Sequence, residues 1–162
     1  MPRVFAWLRS LLWTVLLSLL VFMVISSLRG GVPLPAQAPD FHAIAMDGKP
    51  VHLAELRGKP VLLYFWASWC GACKLTSPTV DRFAKSHPGV QVVGIAMDEE
   101  AEARAYLAKT PRSFAVVPEN AEIQQGYPVH ALPTTVLVDA QGKVAWSRQG
   151  VLLPFELEFH LP

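Results

Sequence analysis

Val61-Leu62-Leu63-Tyr64-Phe65-Trp66-Ala67-Ser68-Trp69-Cys70-Gly71-Ala72-Cys73-Lys74 is the stretch on which the fold turns. Val61 to Trp66 is apolar without a break, which suits a short central strand buried on both faces. From Ala72 the spacing changes. Cys73, Thr76, Val80, Phe83 and Ala84 fall on one face of a helix, and Lys85-Ser86-His87-Pro88-Gly89 ends it. The two cysteines therefore sit where a buried strand becomes a helix. Unsatisfied N–H groups and the macrodipole at a helix start favour negative charge, so a Cys70 thiolate is stabilised there. The thiolate is the reactive form, and Cys-x-x-Cys settings bring its pKa to about 7 or below. Cys73 lies one turn further in, on the apolar face, within reach of Cys70. This division suits redox chemistry: Cys70 attacks a substrate disulfide, and Cys73 then attacks Cys70 and releases the reduced substrate. Two alternatives remain at this level. A structural disulfide closing so short a loop is a weak staple. A metal site needs further ligands from His42, His52, His87, His130 or His160, which show no paired spacing in the sequence.

Working outward, Phe41 to Met46 is a short apolar run closed by Asp47-Gly48, a hairpin signal, with Val51-His52-Leu53 as the returning strand. Val90 to Met97 reads as a second buried strand. Asp98 is expected to cap a helix with an acidic first turn (Glu99, Glu100, Glu102) that ends near Lys109. Phe114 to Val117 is a short strand, and Glu119 to Gly126 a short helix or turn. Thr134 to Val138 and Lys143 to Ser147 form a hairpin around Asp139-Ala140-Gln141-Gly142. Pro154 to His160 is one or two helical turns. Strands alternating with helices predict an α/β fold, and the late hairpin makes its sheet mixed.

The chain has 162 residues, 52% apolar and only 17% charged. The departure from ordinary composition comes from 19 uncharged residues between Arg9 and Arg29. As a helix they span roughly 28 Å, close to a bilayer core. Arg3 and Arg9, with Trp7 and Trp13, mark the cytoplasmic side. The expected organisation is a cytoplasmic N-terminus over 1–9, a transmembrane anchor over 10–28, a Pro/Gly-rich linker over 29–39 and a folded domain over 40–162. Ala36-Gln37-Ala38 resembles a signal-peptidase site, but it lies far from the apolar run and precedes Pro39, so a retained anchor is expected. Residues 32–162 carry 11 basic and 13 acidic groups, which leaves no footprint for nucleic acid. Two cysteines are too few for a disulfide-stapled scaffold.

Phe65 to Lys74 closely resembles the active-site segment of the thioredoxin-like superfamily. Pro78 matches that family's helix-kinking proline, and Tyr127-Pro128-Val129-His130-Ala131-Leu132-Pro133-Thr134 is similar to its second signature. Leu-Pro-Thr-Thr followed by a strand and Asp-x-x-Gly-Lys, the anchor and the Asp47-Gly48 hairpin are more like the membrane-anchored TlpA/ResA branch. Within it, Cys-Lys-Leu-Thr-Ser-Pro-Thr-Val is similar to the suppressor-of-copper-sensitivity D-type proteins. The resemblance implies a thioredoxin fold, a redox-active Cys70–Cys73 disulfide, a cis Pro133 facing the cysteines and a Leu132 backbone that pairs with substrate. Two departures stand out: Tyr64 replaces the buried Asp of thioredoxins, and Thr76 replaces a Glu of several anchored relatives, so the base for Cys73 is unassigned. The tail after Gly150 is short for a full last helix, which predicts a less covered edge.

Trp69 is expected to shield Cys70 and to help dock substrate, with Trp66 and Trp146 in packing roles. Gly71, Ala72 and His130 are candidate modulators of Cys70, and His130 also reads as a plain surface-loop residue. No cofactor or resident metal is expected. The predicted function is a membrane-tethered protein thiol–disulfide oxidoreductase of a bacterial inner membrane, facing the periplasm. Gly-Ala between the cysteines lacks the histidine of the strongly oxidising relatives, so the resemblance implies reduction over oxidation, with a membrane thiol transporter as electron donor and protein disulfides as substrates. A periplasmic disulfide oxidase and a copper-binding delivery module are the alternatives. A thiol peroxidase is disfavoured because Ala67 stands where it needs Thr or Ser.

Overall fold

The structure, a computed structural model, describes residues 12–21 and 33–161. The chain divides into two compact units, Met1–Gly30 and Gly31–Pro162. In the first, residues 12–21 are helical, with Leu12, Trp13, Leu16 and Leu20 exposed. Among the described residues no helix is long and apolar enough to cross a membrane. The expected anchor over 10–28 lies partly outside the described residues.

The second unit opens with a hairpin, β1 (His42–Ile44) and β2 (Pro50–His52), antiparallel in the register His42↔His52, Ala43↔Val51 and Ile44↔Pro50. Gly48 takes φ +87° in its turn, a conformation that glycine adopts without steric cost. A 3₁₀ turn, Leu53–Leu56, follows. The main sheet has the order β5-β4-β3-β6-β7, from β3 (Val61–Trp66), β4 (Gln91–Ala96), β5 (Ala115–Pro118), β6 (Thr134–Val138) and β7 (Val144–Gln149). β3, β4 and β5 run parallel, while β6 is antiparallel to both β3 and β7. The mixed α/β sheet expected from the sequence is present.

β3 is central and every residue of it is buried. Its alternate side chains feed two cores, as period-two geometry requires. Val61, Leu63 and Phe65 pack with Phe41, Ile123 and Tyr127 on one face. Leu62, Tyr64 and Trp66 lie on the other, packing with Cys73, Val80, Phe83 and Leu157. The helices are α1 (Gly71–Ser86), α2 (Glu100–Lys109), α3 (Ala121–Gly126) and α4 (Pro154–His160).

Three expectations change. Asp98 does not cap α2: Glu99 holds the N-cap position without a side-chain cap bond. Asp98 instead turns to the neighbouring loop, where its Oδ2 accepts the Ser68 N–H at 2.8 Å. The folded part also begins ahead of Asp40. Ala38 is buried, its N–H donates to the Gly142 carbonyl, and the Val144 N–H donates to the Ala36 carbonyl. The end of the expected linker is thus fastened to the β6–β7 turn, because Ala38 has an apolar core to join. The short tail covers more than its length suggests. Leu152 and Leu157 are buried in the core that contains Cys73, although Leu153, Phe155 and Phe159 remain exposed.

Candidate active site

β3 delivers the chain to the loop Ala67–Cys70, and α1 departs from Gly71. The loop is held from two sides. The Cys70 N–H donates to the Ala67 carbonyl at 3.3 Å, and Asp98, just past the end of neighbouring β4, receives the Ser68 N–H. Cys70 is the N-cap of α1, and its Sγ accepts the Cys73 N–H at 3.1 Å. The sulfur thus occupies the position of an ordinary capping oxygen. N–H groups that stabilise a capping lone pair stabilise a thiolate more, because charge-assisted hydrogen bonds are the stronger class.

Cys70 and Cys73 form a disulfide with Cα atoms 5.2 Å apart. Cys70 is 7% exposed and Cys73 is 1% exposed. Cys70 is therefore the more accessible of the two. Trp69, at 67% exposure, stands out beside it, whereas Trp66 is in the core. Gly71 is exposed and Ala72 half-buried.

The Leu132–Pro133 peptide is cis. Pro133 is buried and its carbonyl accepts the Gly150 N–H. Leu132 packs against the core that contains Cys70 and Cys73. Tertiary structure thus joins the two signatures, which are about 60 residues apart in the chain. His130 is exposed, and among the described residues no hydrogen bond or ring contact ties it to the cysteines.

Hydroxyls stand at both positions, 64 and 76, where the resemblance implied acids. The Tyr64 hydroxyl donates to the Cys73 carbonyl at 3.2 Å and shares a hydrogen bond with Ser77 Oγ at 3.0 Å. Burial pushes its pKa up to about 12, so it is a neutral phenol at working pH. Thr76 is fully buried; its Oγ1 donates to the Ala72 carbonyl and accepts the Leu152 N–H at 3.5 Å. These groups bind backbone and the Ser77 hydroxyl rather than sulfur, and they fix the first turns of α1 to β3 and to the tail. Burial raises the carboxyl of Glu119 above its ordinary range, but no hydrogen bond joins it to the cysteine pair.

Asp98 is the site residue that the sequence reading placed wrongly. Its Oδ1 is buried and has no hydrogen-bond partner among the described residues, while Oδ2 holds the loop before Cys70. The available signal was its position two residues past the end of β4, the parallel neighbour of β3.

Residues 35–147 match the AhpC/TSA family. A thioredoxin-like protein of Haemophilus influenzae is 35% identical over 132 residues, covering 77% of each chain. The thiol-disulfide oxidoreductase ResA of Oceanobacillus iheyensis is 29% identical, covering 94% of this chain and 85% of its own. Among solved structures, a thiol:disulfide interchange protein of the thioredoxin family from Chlorobium tepidum superposes with a TM-score of 0.71. It is 26% identical and covers 78% of this chain and 93% of its own.

Proposed function

Because the chain belongs to the AhpC/TSA family and is a thiol–disulfide oxidoreductase, we propose that it reduces protein disulfides outside the cytoplasm while tethered to the membrane. Cys70 is the nucleophile. Its thiolate attacks one sulfur of a substrate disulfide, forming a mixed disulfide and expelling the other substrate sulfur as a thiolate, which takes a proton. Cys73 then loses its proton and attacks Cys70 Sγ, which closes the Cys70–Cys73 bond and releases the second substrate thiol. Two electrons pass from the protein to the substrate. A membrane thiol transporter restores them by the same exchange in reverse.

The observation that carries this reading is the disulfide at the mouth of α1, with its outer sulfur aligned on a backbone N–H and its inner sulfur sealed. Trp69 and the Leu132–Pro133 segment supply the docking surface. The exposed indole offers apolar area, and the proline has no N–H to obstruct an approaching backbone. Cys73→Ser is expected to capture substrates as mixed disulfides through Cys70, and Cys70→Ser to capture none. Equal capture by the two variants overturns the assignment of roles. Thiol trapping in the living cell should find the pair mostly reduced; a mostly oxidised pair reverses the direction to an oxidase.

The membrane assignment rests on the 19-residue uncharged run and on Arg3 and Arg9 before it. Tethering places enzyme and electron donor in one surface and raises their effective concentration. The full chain is expected to stay with membranes in carbonate extraction, with its domain open to protease from the outer side. A mature chain beginning at Pro39 or Asp40 refutes a retained anchor.

A further inference from the structure

The hairpin that precedes the main sheet carries a second cluster of chemically capable side chains, none of them shared with the disulfide site. His42 and His52 are ten residues apart in sequence but directly opposite in the β1–β2 register. Their rings stack with centroids 3.7 Å apart. Asp40 Oδ2 lies 2.7 Å from His52 Nε2. One ligand atom from each of Asp40, His42 and His52 falls within 4.8 Å of the other two.

We propose that Asp40, His42 and His52 form a binding site for a divalent transition-metal ion of the zinc type. Two imidazoles and a carboxylate suit a borderline cation such as Zn²⁺, with water as a fourth ligand. Ligand atoms on a tetrahedral Zn²⁺ lie about 3.4 Å apart, given metal–ligand bonds of about 2.1 Å. Ligand atoms separated by no more than 4.8 Å must draw in, and the Asp40–His52 pair at 2.7 Å must open slightly, so the rings splay from stacked to convergent. His42 has room to do so, because its side chain is 63% exposed.

Two further features favour a cation over a simple surface ion pair. Each imidazole already has one nitrogen facing an additional carboxylate: His52 Nδ1 is 3.3 Å from Glu55, and His42 Nδ1 is 3.3 Å from Glu122. A metal-bound histidine characteristically donates its second ring N–H to such an acceptor, which fixes its tautomer and orientation. The cluster thus brings three carboxylates to two imidazoles, an excess of negative charge that a divalent cation reduces. The ligand-bearing backbone is also held in place. Asp40 Oδ1 accepts the Ala54 N–H, Glu122 Oε2 accepts the His42 N–H, and Asn120 Nδ2 donates to the His42 carbonyl. Bound metal then clamps residue 40 to the hairpin and, through Glu122, reinforces the contact with α3.

The test uses tag-free protein with Cys70–Cys73 oxidised, so that no thiolate competes for metal. Calorimetric titration with Zn²⁺ at about pH 8, above the ordinary imidazole range, should show one ion per chain at micromolar affinity. His42→Gln and His52→Gln should each weaken binding by at least about tenfold, while circular dichroism and disulfide reductase activity stay at the wild-type level. Glu55→Gln should weaken binding less than either. Absence of saturable binding, or equal binding by wild type and both histidine variants, overturns the proposal. So does uptake confined to the reduced protein and abolished by Cys70→Ser, which assigns the metal to the thiols.

Discussion

Tyr64→Phe tests whether the phenol beneath the cysteines serves architecture alone. The substitution removes one oxygen and leaves the ring, so the packing of β3 against α1 is preserved. The lost hydroxyl makes two contacts, at 3.2 Å to the Cys73 carbonyl and 3.0 Å to Ser77 Oγ. The Cys73 carbonyl keeps its place in the helical ladder, whereas Ser77, 1% exposed, loses that contact. A net hydrogen bond is worth about 1 kcal/mol, and a stranded buried hydroxyl costs about 1–3 kcal/mol. Relief of the phenol's own desolvation offsets part of this, so the expected loss is about 1–2 kcal/mol. In a domain of this size that lowers Tm by about 3–8 °C. The assay is urea unfolding of both the oxidised and the reduced protein, followed by insulin-disulfide reduction and a redox titration. Both redox states should lose the same stability, because the hydroxyl binds a carbonyl and a serine rather than sulfur. The potential should then move by less than about 10 mV, since 30 mV corresponds to about 1.4 kcal/mol for two electrons. A loss confined to one redox state, or a potential shift above about 30 mV, refutes the reasoning and couples Tyr64 to the sulfur chemistry.

Gly94→Ala places a Cβ 2.8 Å from Phe114 Cε2 and 3.2 Å from Trp66 Nε1; overpacking of about 1–3 kcal/mol is expected, read as a lower urea midpoint with m unchanged. Asp81 joins α1 to the loop before β5. Burial tends to raise its pKa, but the hydrogen bonds from Lys85 and from the Ser113 N–H and hydroxyl outweigh it and hold the carboxyl below its ordinary range. Its stabilisation is therefore complete above the unfolded pKa of about 3.9 and is lost as pH falls through the lower folded value; urea midpoints should drop on acidification, and Asp81→Asn should flatten that limb. Thr76→Val removes the acceptor of the Leu152 N–H, so hydrogen exchange at Leu152 should quicken while exchange in β3 does not. Trp69→Ala should leave stability within about 0.5 kcal/mol of wild type, as surface changes do; turnover of protein disulfides should fall while that of a small disulfide reagent persists.

The chain wrote some of its structure locally. Val61 to Trp66 is a fully buried strand because an unbroken apolar run has no wet face to offer. The face Cys73, Thr76, Val80 and Phe83 is buried on α1 because helical periodicity repeats within the segment itself. The position of Cys70 at the head of that helix, and with it the chemistry, followed from the same short window. Asp98 was legible as an acid near a helix start, but not as the group that fastens Ser68 in the neighbouring loop. Tyr64 was legible as a core residue, but not as the partner of Ser77 and the Cys73 carbonyl.

Contacts of that second kind depend on which strands lie side by side and in what register. Hydrophobic alternation tells which side chains of a strand point the same way, but not which strand is its neighbour. The sequence by itself determined the strand–helix junction and its dithiol. Only the tertiary structure decided that Leu132 packs with the core holding that dithiol and that His42 stands opposite His52. Side-chain periodicity is a property of a few adjacent residues, whereas pairing is settled by the burial of the whole domain.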